Sequence, residues 1–237
     1  MDTQADAINI QNLTFHWRKE GAVVLDLPRL LVGRGERVFI KGASGSGKST
    51  LLSLIGGVLL PQSGDVSVLG QPLRALSSAK RDAFRAEHIG FIFQMFNLIP
   101  YLPIIDNVLL PCRFSRRRRL NIERRGIGLR DEAVRLLEHL DLPAAMLQRP
   151  VTELSVGQQQ RVAAARALIG GPELVIADEP TSALDADRRS GFLRLLLKEC
   201  AEQNTTLLFV SHDSALEPQF DRGIQLAAIN QAVNEGG

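Results

Sequence analysis

Aromatic side chains are scarce in this 237-residue chain: one Trp, one Tyr and ten Phe, 5% in all. Its core must be packed from aliphatic residues, and the 45% hydrophobic fraction is enough for one full domain. Cysteine is nearly absent. Cys112 and Cys200 lie far apart and outside any metal-ligand spacing, which excludes a disulfide framework and fits two reduced thiols in a cytosolic setting. No long hydrophobic run occurs. The longest, Leu51–Leu60, is broken by Ser53 and two glycines, and a bilayer span needs about 20 residues. Met1–Asp6 is polar and acidic, without the basic and apolar regions of a secretory signal. Internal repeats and low-complexity linkers are also missing.

Net charge is only +2, and it is unevenly placed. Residues 113–130 hold eight arginines and one glutamate, +7 in total, which leaves −5 for the rest of the chain. A broad nucleic-acid-binding surface is therefore not expected. Charge runs are usually solvated loops, and 113–130 reads as one. The sharper reading is a basic segment that docks on anionic lipid headgroups or on an acidic loop of a membrane partner.

What the chain does have is Gly42-Ala43-Ser44-Gly45-Ser46-Gly47-Lys48-Ser49-Thr50, in which G-x-x-x-x-G-K-[ST] runs from Gly42 to Ser49. The apolar run Val38–Ile40 precedes it, and Leu51–Ile55 follows with helical spacing. A glycine-rich loop between a buried strand and a helix is the setting of a phosphate-binding P-loop. Successive N–H groups at a helix N-terminus form an anion-binding concavity. Lys48 is expected to reach the β- and γ-phosphates of a nucleotide, and the Ser49 hydroxyl to bind Mg²⁺.

Four apolar runs share one design. Val38–Ile40 leads into the P-loop, Ile89–Phe93 ends at Gln94, Leu174–Ala177 ends at Asp178-Glu179, and Leu207–Val210 ends at Ser211-His212. Each is continuous rather than alternating, as expected of parallel strands buried on both faces. Ligands bind beyond the carboxyl ends of such strands, so the four polar ends should converge. Around these, Ile8–Trp17 reads as a half-buried strand with an irregularity near Gln11-Asn12, and Val23–Leu31, Glu36–Ile40 and Asp65–Leu69 as further strands. Residues 75–88 read as a polar helix. Residues 95–150 carry helix-like segments, Ile104–Leu110 and Asp131–Leu140, and no run suited to a buried strand. Ser155 is a natural N-cap for the Ala-rich helix that Gly170-Gly171-Pro172 stops.

With Leu154-Ser155-Val156-Gly157-Gln158 added in this order and spacing, the chain resembles the ATP-binding subunit of an ABC transporter over Ile8 to about Ile229. The resemblance implies an α/β, P-loop ABC-type nucleotide-binding fold. Its parts are a mostly parallel core sheet, an N-terminal antiparallel β part and an inserted helical subdomain. The whole forms one ATPase domain over 1–237, with the α/β core from 1–94 and 151–237 and the insert from 95–150. The resemblance further implies ATP and Mg²⁺ as ligands. By the same resemblance Trp17 is expected to stack on adenine, Gln94 to touch Mg²⁺ and sense the membrane partner, Asp178 to be the second Mg²⁺ anchor, Glu179 to be the base and His212 to sit at the γ-phosphate. It likewise implies that Leu154–Gln158 is the signature acting in trans and that Ser182-Ala183-Leu184-Asp185 is the loop crossing a homodimer interface. The commonest signature has Gly where this chain has Val156, which bears on turnover more than on the site.

Within the family, Ile89–Leu110 resembles the branch of lipoprotein-releasing and macrolide-exporting ATPases. The implied partner is an integral membrane permease, and the implied location is peripheral, on the cytoplasmic face of the inner membrane. Two other functions compete. One is a mechanical role in which the same motor drives cell-envelope enzymes without moving a solute. The other is a soluble ABC ATPase of repair or translation, disfavoured because neither a long coiled-coil insertion nor a second cassette is present. A simple P-loop kinase would lack the 154–158 signature.

Overall fold

The computed structural model describes residues 6–18 and 20–232, and side-chain burial is not described for residues 186 and 187. Most of the acidic segment Met1–Asp6 lies outside the described residues. Strands β1 (Ile8–His16), β2 (Val23–Val32) and β3 (Arg37–Lys41) lead to helix α1 (Lys48–Ile55). Next come β4 (Ser63–Val68), β5 (Gln71–Pro72), α2 (Ser78–His88) and β6 (Ile89–Ile92). Three helices follow, α3 (Ile104–Phe114), α4 (Arg116–Glu123) and α5 (Leu129–His139). The chain then runs through α6 (Val156–Leu168), β7 (Leu174–Asp178), α7 (Ala186–Glu202), β8 (Thr206–Ser211), β9 (Arg222–Gln225) and the short α8 (Leu226–Ile229).

Two sheets result. β2-β1-β4-β5 is antiparallel, and β6-β7-β8-β3-β9 is parallel. The apolar runs of the parallel sheet are continuous because alternate residues feed two cores. Phe39, Val175, Ala177, Leu207 and Phe209 pack with α3, α5, α6 and α7. Val38, Ile40, Leu174, Ile176, Leu208 and Val210 pack with α1 and the antiparallel sheet. Both faces are thus buried, as the run pattern requires. The expected irregularity near Gln11-Asn12 is a register shift against β4, with Asn12 in the left-handed region at φ 47°. Gly64 accommodates it, since a Cβ there would lie 2.1 Å from the Asn12 carbonyl oxygen.

Register sets the functional edge. Lys41 pairs with Ser211, Val210 with Asp178, and Ala177 with Ile92. The residues that follow these strands therefore emerge on one side of the sheet. The edge strand β9 has no sequence signature, because Ile224 is its only buried residue. Among the described residues no helix is long and apolar enough to cross a membrane.

The arginine-rich stretch is not a solvated loop. Ser115 caps α4 by accepting from the Arg118 N–H at 3.1 Å, and arginine is a good helix former. The like charges are dispersed by separate partners. Arg117 pairs with Glu173, Arg119 donates to the Cys112 carbonyl at 3.1 Å, and Arg113 pairs with Asp106 at 3.2 Å. Arg118 is only 2% exposed. Helix α3 also runs four residues beyond its expected end at Leu110, through Pro111 to Phe114.

Candidate functional site

The loop between β3 and α1 turns on glycines. Gly45 and Gly47 have φ of 78° and 94°, a region costly to side-chain-bearing residues. At Gly47 a Cβ would also lie 2.9 Å from Leu25 Cδ2. The helix begins at Lys48, whose Nζ donates to the Gly42 and Ala43 carbonyls, each at 2.8 Å. That ammonium is buried beneath the loop and lies 3.4 Å from Glu179 Oε1.

β7 delivers Asp178 and Glu179, and β8 delivers His212. The Ser49 hydroxyl donates to Asp178 Oδ2 at 3.1 Å. Burial pushes the Asp178 carboxyl above its usual range and the charge of Glu179 adds to this, while the Ser49 bond and Lys48 oppose it. A carboxylate held this way gains from a nearby cation. His212 Nδ1–H donates to Glu179 Oε2 at 2.8 Å, fixing the ring's tautomer and leaving Nε2 as its free nitrogen. Glu179 itself has a positive φ of 43°, a strained conformation of a kind concentrated at functional positions.

These groups share one cleft of about 810 Å³, lined by Ser44, Gly45, Lys48, Ser49, Gln94 and His212 with Asp178 and Glu179 behind them. Trp17 stands at its mouth, 64% exposed and edge-on to Phe15 at 5.2 Å. The four strand ends thus converge as their pattern demands. The signature does not join them. Ser155 caps α6 in a capping box with Gln158, as expected of an N-cap, but Ser155, Gly157 and Gln158 line a different cleft of about 290 Å³ together with Leu184. Ser182, Ala183 and Asp185 are exposed, and Asp185 caps α7 by accepting from the Arg188 N–H. Within one chain the two halves of the expected site stay apart.

Three arginines escape sequence reasoning. Arg166 donates to the carbonyls of Phe96 at 2.5 Å and Asn97 at 2.6 Å, holding a loop whose residues both have positive φ. Arg189 pairs with Asp213 and donates to the Leu184 carbonyl at 2.9 Å, joining the 182–185 loop to the segment after His212. Arg118 is the third. Their acceptors are mostly backbone atoms, which leave no mark on residue type.

A family model described as ABC transporter matches residues 25–182. Solved structures agree. The ATP-binding cassette MJ0796, in a dimeric post-hydrolysis state bound to ADP and Pi, is 36% identical, with 92% of this chain and 93% of that chain covered and a TM-score of 0.79. A dimeric structure of MJ0796, described as a bacterial ABC transporter cassette, gives the same identity and coverage and a TM-score of 0.80. CbiO1 from Clostridium perfringens, part of the ABC transporter complex cbiONQ, is 26% identical over 93% of this chain and 84% of that chain, with a TM-score of 0.79.

Proposed function

We propose, from the premise that the chain belongs to the ABC transporter family, that this ATPase cassette closes as a head-to-tail homodimer around two nucleotides and drives an integral membrane permease. In the cleft, Lys48 offsets phosphate charge, and the backbone N–H groups of Gly42–Thr50 hold the phosphate oxygens. Trp17 stacks on the adenine. Ser49, Asp178 and Gln94 would hold Mg²⁺, and the fit is good. All three offer hard oxygen donors, Asp178 and Ser49 oxygens are already adjacent, and the Asp178 carboxyl is disfavoured as a bare anion. When bound, Mg²⁺ neutralises charge on the β- and γ-phosphates. Glu179 orients and deprotonates the attacking water, and His212 fixes the carboxylate through its 2.8 Å bond. Leu154–Gln158 and Ser182–Asp185 act on the nucleotide of the second copy. The separation of the two clefts and the dimeric neighbours support this reading.

The observation that carries the permease reading is a shared wall. A second groove of about 530 Å³, largely apolar, is lined by Leu52, Val58, Phe91, Phe93, Leu110 and Phe114, and it meets the phosphate cleft at Ser49 and Asp178. Gln94 lines the phosphate cleft and directly follows Phe93, which lines the groove. An amphipathic helix of a permease suits such a groove, and its seating would bear on Gln94. Phe114 is 75% exposed beside Arg113 and Arg116, which suits anionic headgroups around the groove mouth. The sequence of Ile89–Leu110 favours the lipoprotein-release and macrolide-export type, acting from the cytoplasmic face of the inner membrane. A mechanical output through a permease-like partner would use the same groove.

Membrane fractionation of native cells tests this. The protein should sediment with membranes, and Val58→Glu with Phe114→Glu should release it while purified protein still binds ATP. Unchanged membrane retention in the double variant would refute the groove as the docking site.

A further inference from the structure

The charge run that the ATPase reading leaves unused contains a buried cation with an unusual set of partners. Arg118 Nε donates to the Ala86 carbonyl at 2.9 Å, in the last turn of α2. Nη2 donates to the Ile89 carbonyl at 2.7 Å, at the first residue of β6. Nη1 donates to the carbonyls of Ala167 at 3.1 Å and Ile169 at 2.9 Å, at the carboxyl end of α6. Among the described residues no carboxylate is one of its hydrogen-bond partners. The negative ends of two helices face it, and Glu173 adds a carboxylate charge without a hydrogen bond to it. Burial pulls the guanidinium down to about 10, so it stays cationic at neutral pH.

The elements it joins fit without slack. A Cβ at Gly90 would lie 2.3 Å from the Ala167 carbonyl oxygen, and one at Gly170 would lie 2.5 Å from Arg118 Cβ. Asn121, one turn along α4, donates to the Gly170 carbonyl at 3.0 Å, and Arg117 pairs with Glu173 just before β7. β6 runs to Gln94. α6, a rod of about 20 Å at 1.5 Å per residue, begins at the Ser155 cap. Arg118 also forms part of the floor of the apolar groove, between Ala86 and Ala167.

We propose that Arg118 is a positioning residue that locks the Gln94 strand to the signature helix, so that an occupant of the groove moves the two as one body. This rests on the ABC reading of Gln94 and Ser155. The planar, five-donor guanidinium spans four carbonyls, while a lysine ammonium has three donors at one point and cannot. Arg118→Lys therefore retains the charge and breaks the bridge.

Hydrogen exchange tests the lock on the purified chain. Arg118→Lys should speed exchange about tenfold, equivalent to ~1.4 kcal/mol, in residues 89–96 and 155–169 together, with 42–50 unchanged. Gly90→Ala should give the same paired change without touching the arginine, and it judges the joint if Arg118→Lys folds poorly. In a Glu179→Gln background, Arg118→Lys should also raise the ATP concentration needed for dimerisation about tenfold while leaving monomer ATP affinity intact. Acceleration confined to α4, or spread over the whole chain, would overturn the proposal, as would unaltered exchange in both variants. Failure of the Glu179→Gln parent to dimerise with ATP would count against the two-nucleotide dimer, and the exchange data would still judge Arg118.

Discussion

Glu179→Gln is the substitution that separates binding from chemistry most cleanly. It is isosteric, so the strained backbone at φ 43° is neither relieved nor worsened. An amide oxygen oriented toward His212 can still accept the 2.8 Å bond from Nδ1. Two things are lost. The water loses its proton acceptor, and Lys48, 3.4 Å from Oε1, loses a negative neighbour. Loss of a positioned base typically lowers the rate by about 10²–10⁴, or ~2.7–5.4 kcal/mol at 1.36 kcal/mol per decade. The second loss works the other way on binding. Lys48 becomes more available to phosphate, and a like-charge neighbour of the γ-phosphate disappears, so ATP affinity should hold or rise. The expected phenotype is a paired one: phosphate release reduced at least a hundredfold, with an ATP-dependent dimer on gel filtration that the wild type forms only transiently. Phosphate release within tenfold of wild type would remove Glu179 from the role of base. Loss of both hydrolysis and ATP binding would show instead that its contact with Lys48 is what shapes the cleft.

The other substitutions probe separate links. Lys48→Ala removes the ammonium that Gly42 and Ala43 aim at the loop, so equilibrium ATP binding itself should weaken, and unchanged affinity would refute the P-loop assignment. Ser155→Arg should stop hydrolysis while monomers still bind ATP. A mixture with Lys48→Ala should regain at most one of two composite sites per heterodimer, and full wild-type activity in the mixture would rule out shared sites. Val156 is 46% exposed at the start of α6 and lies between Ser155 and Gly157 in the chain, so Val156→Gly should raise steady-state turnover, and an equal or lower rate would refute the idea that a side chain at this position slows the signature. Burial pushes Glu199 up, but bonds from Arg135 at 2.7 Å, Gln203 at 2.7 Å and His139 at 3.0 Å hold its carboxyl below the usual range. Its stabilisation is therefore complete above the ordinary value of about 4.3 and lost as pH falls toward the depressed one. Glu199→Gln should cost ~2 kcal/mol, or about 4–8 °C of Tm, at neutral pH, with the gap closing in thermal melts at acid pH. A gap that widens there would reverse the sign and the argument.

The P-loop and the four buried strands were legible because their causes are local. A glycine at a left-handed position and an apolar run fed from both faces are written in adjacent residues, and Lys41–Ser211 and Asp178–Val210 register follows once the strands align. The fate of residues 113–130 was not legible for the opposite reason. Whether an arginine is solvated or buried depends here on carbonyls of Ala86, Ile89, Ala167 and Ile169, far away in sequence and identical in chemistry to every other carbonyl. Replacing Arg116–Arg119 as a block, which the loop reading invites, would break that joint along with any lipid contact. Arg113 and Arg116, exposed on either side of the exposed Phe114 and the buried Ser115, are the pair to alter for the lipid question.

The same device recurs on the phosphate-binding helix itself. Arg85 donates to the Gly56 carbonyl at 2.9 Å and Arg81 to the Gly57 carbonyl at 3.2 Å, both just beyond the carboxyl end of α1. Arg118 does this for α6. In the proposed reading, α1 offers its amino end to a nucleotide and α6 carries the signature at its own. A cation at the far end stabilises each helix dipole by about 0.3–1 kcal/mol, more when partly buried, without placing positive charge where phosphate must enter and leave. In a chain with few aromatics to lock its layers, arginine reaching backbone carbonyls does the joining, and it does so with donors that salt screens little. The positive charge concentrated in 113–130 is thus in part internal structure. Salt should weaken a contact made by Arg113 and Arg116, and it should leave the Arg118 joint nearly unchanged.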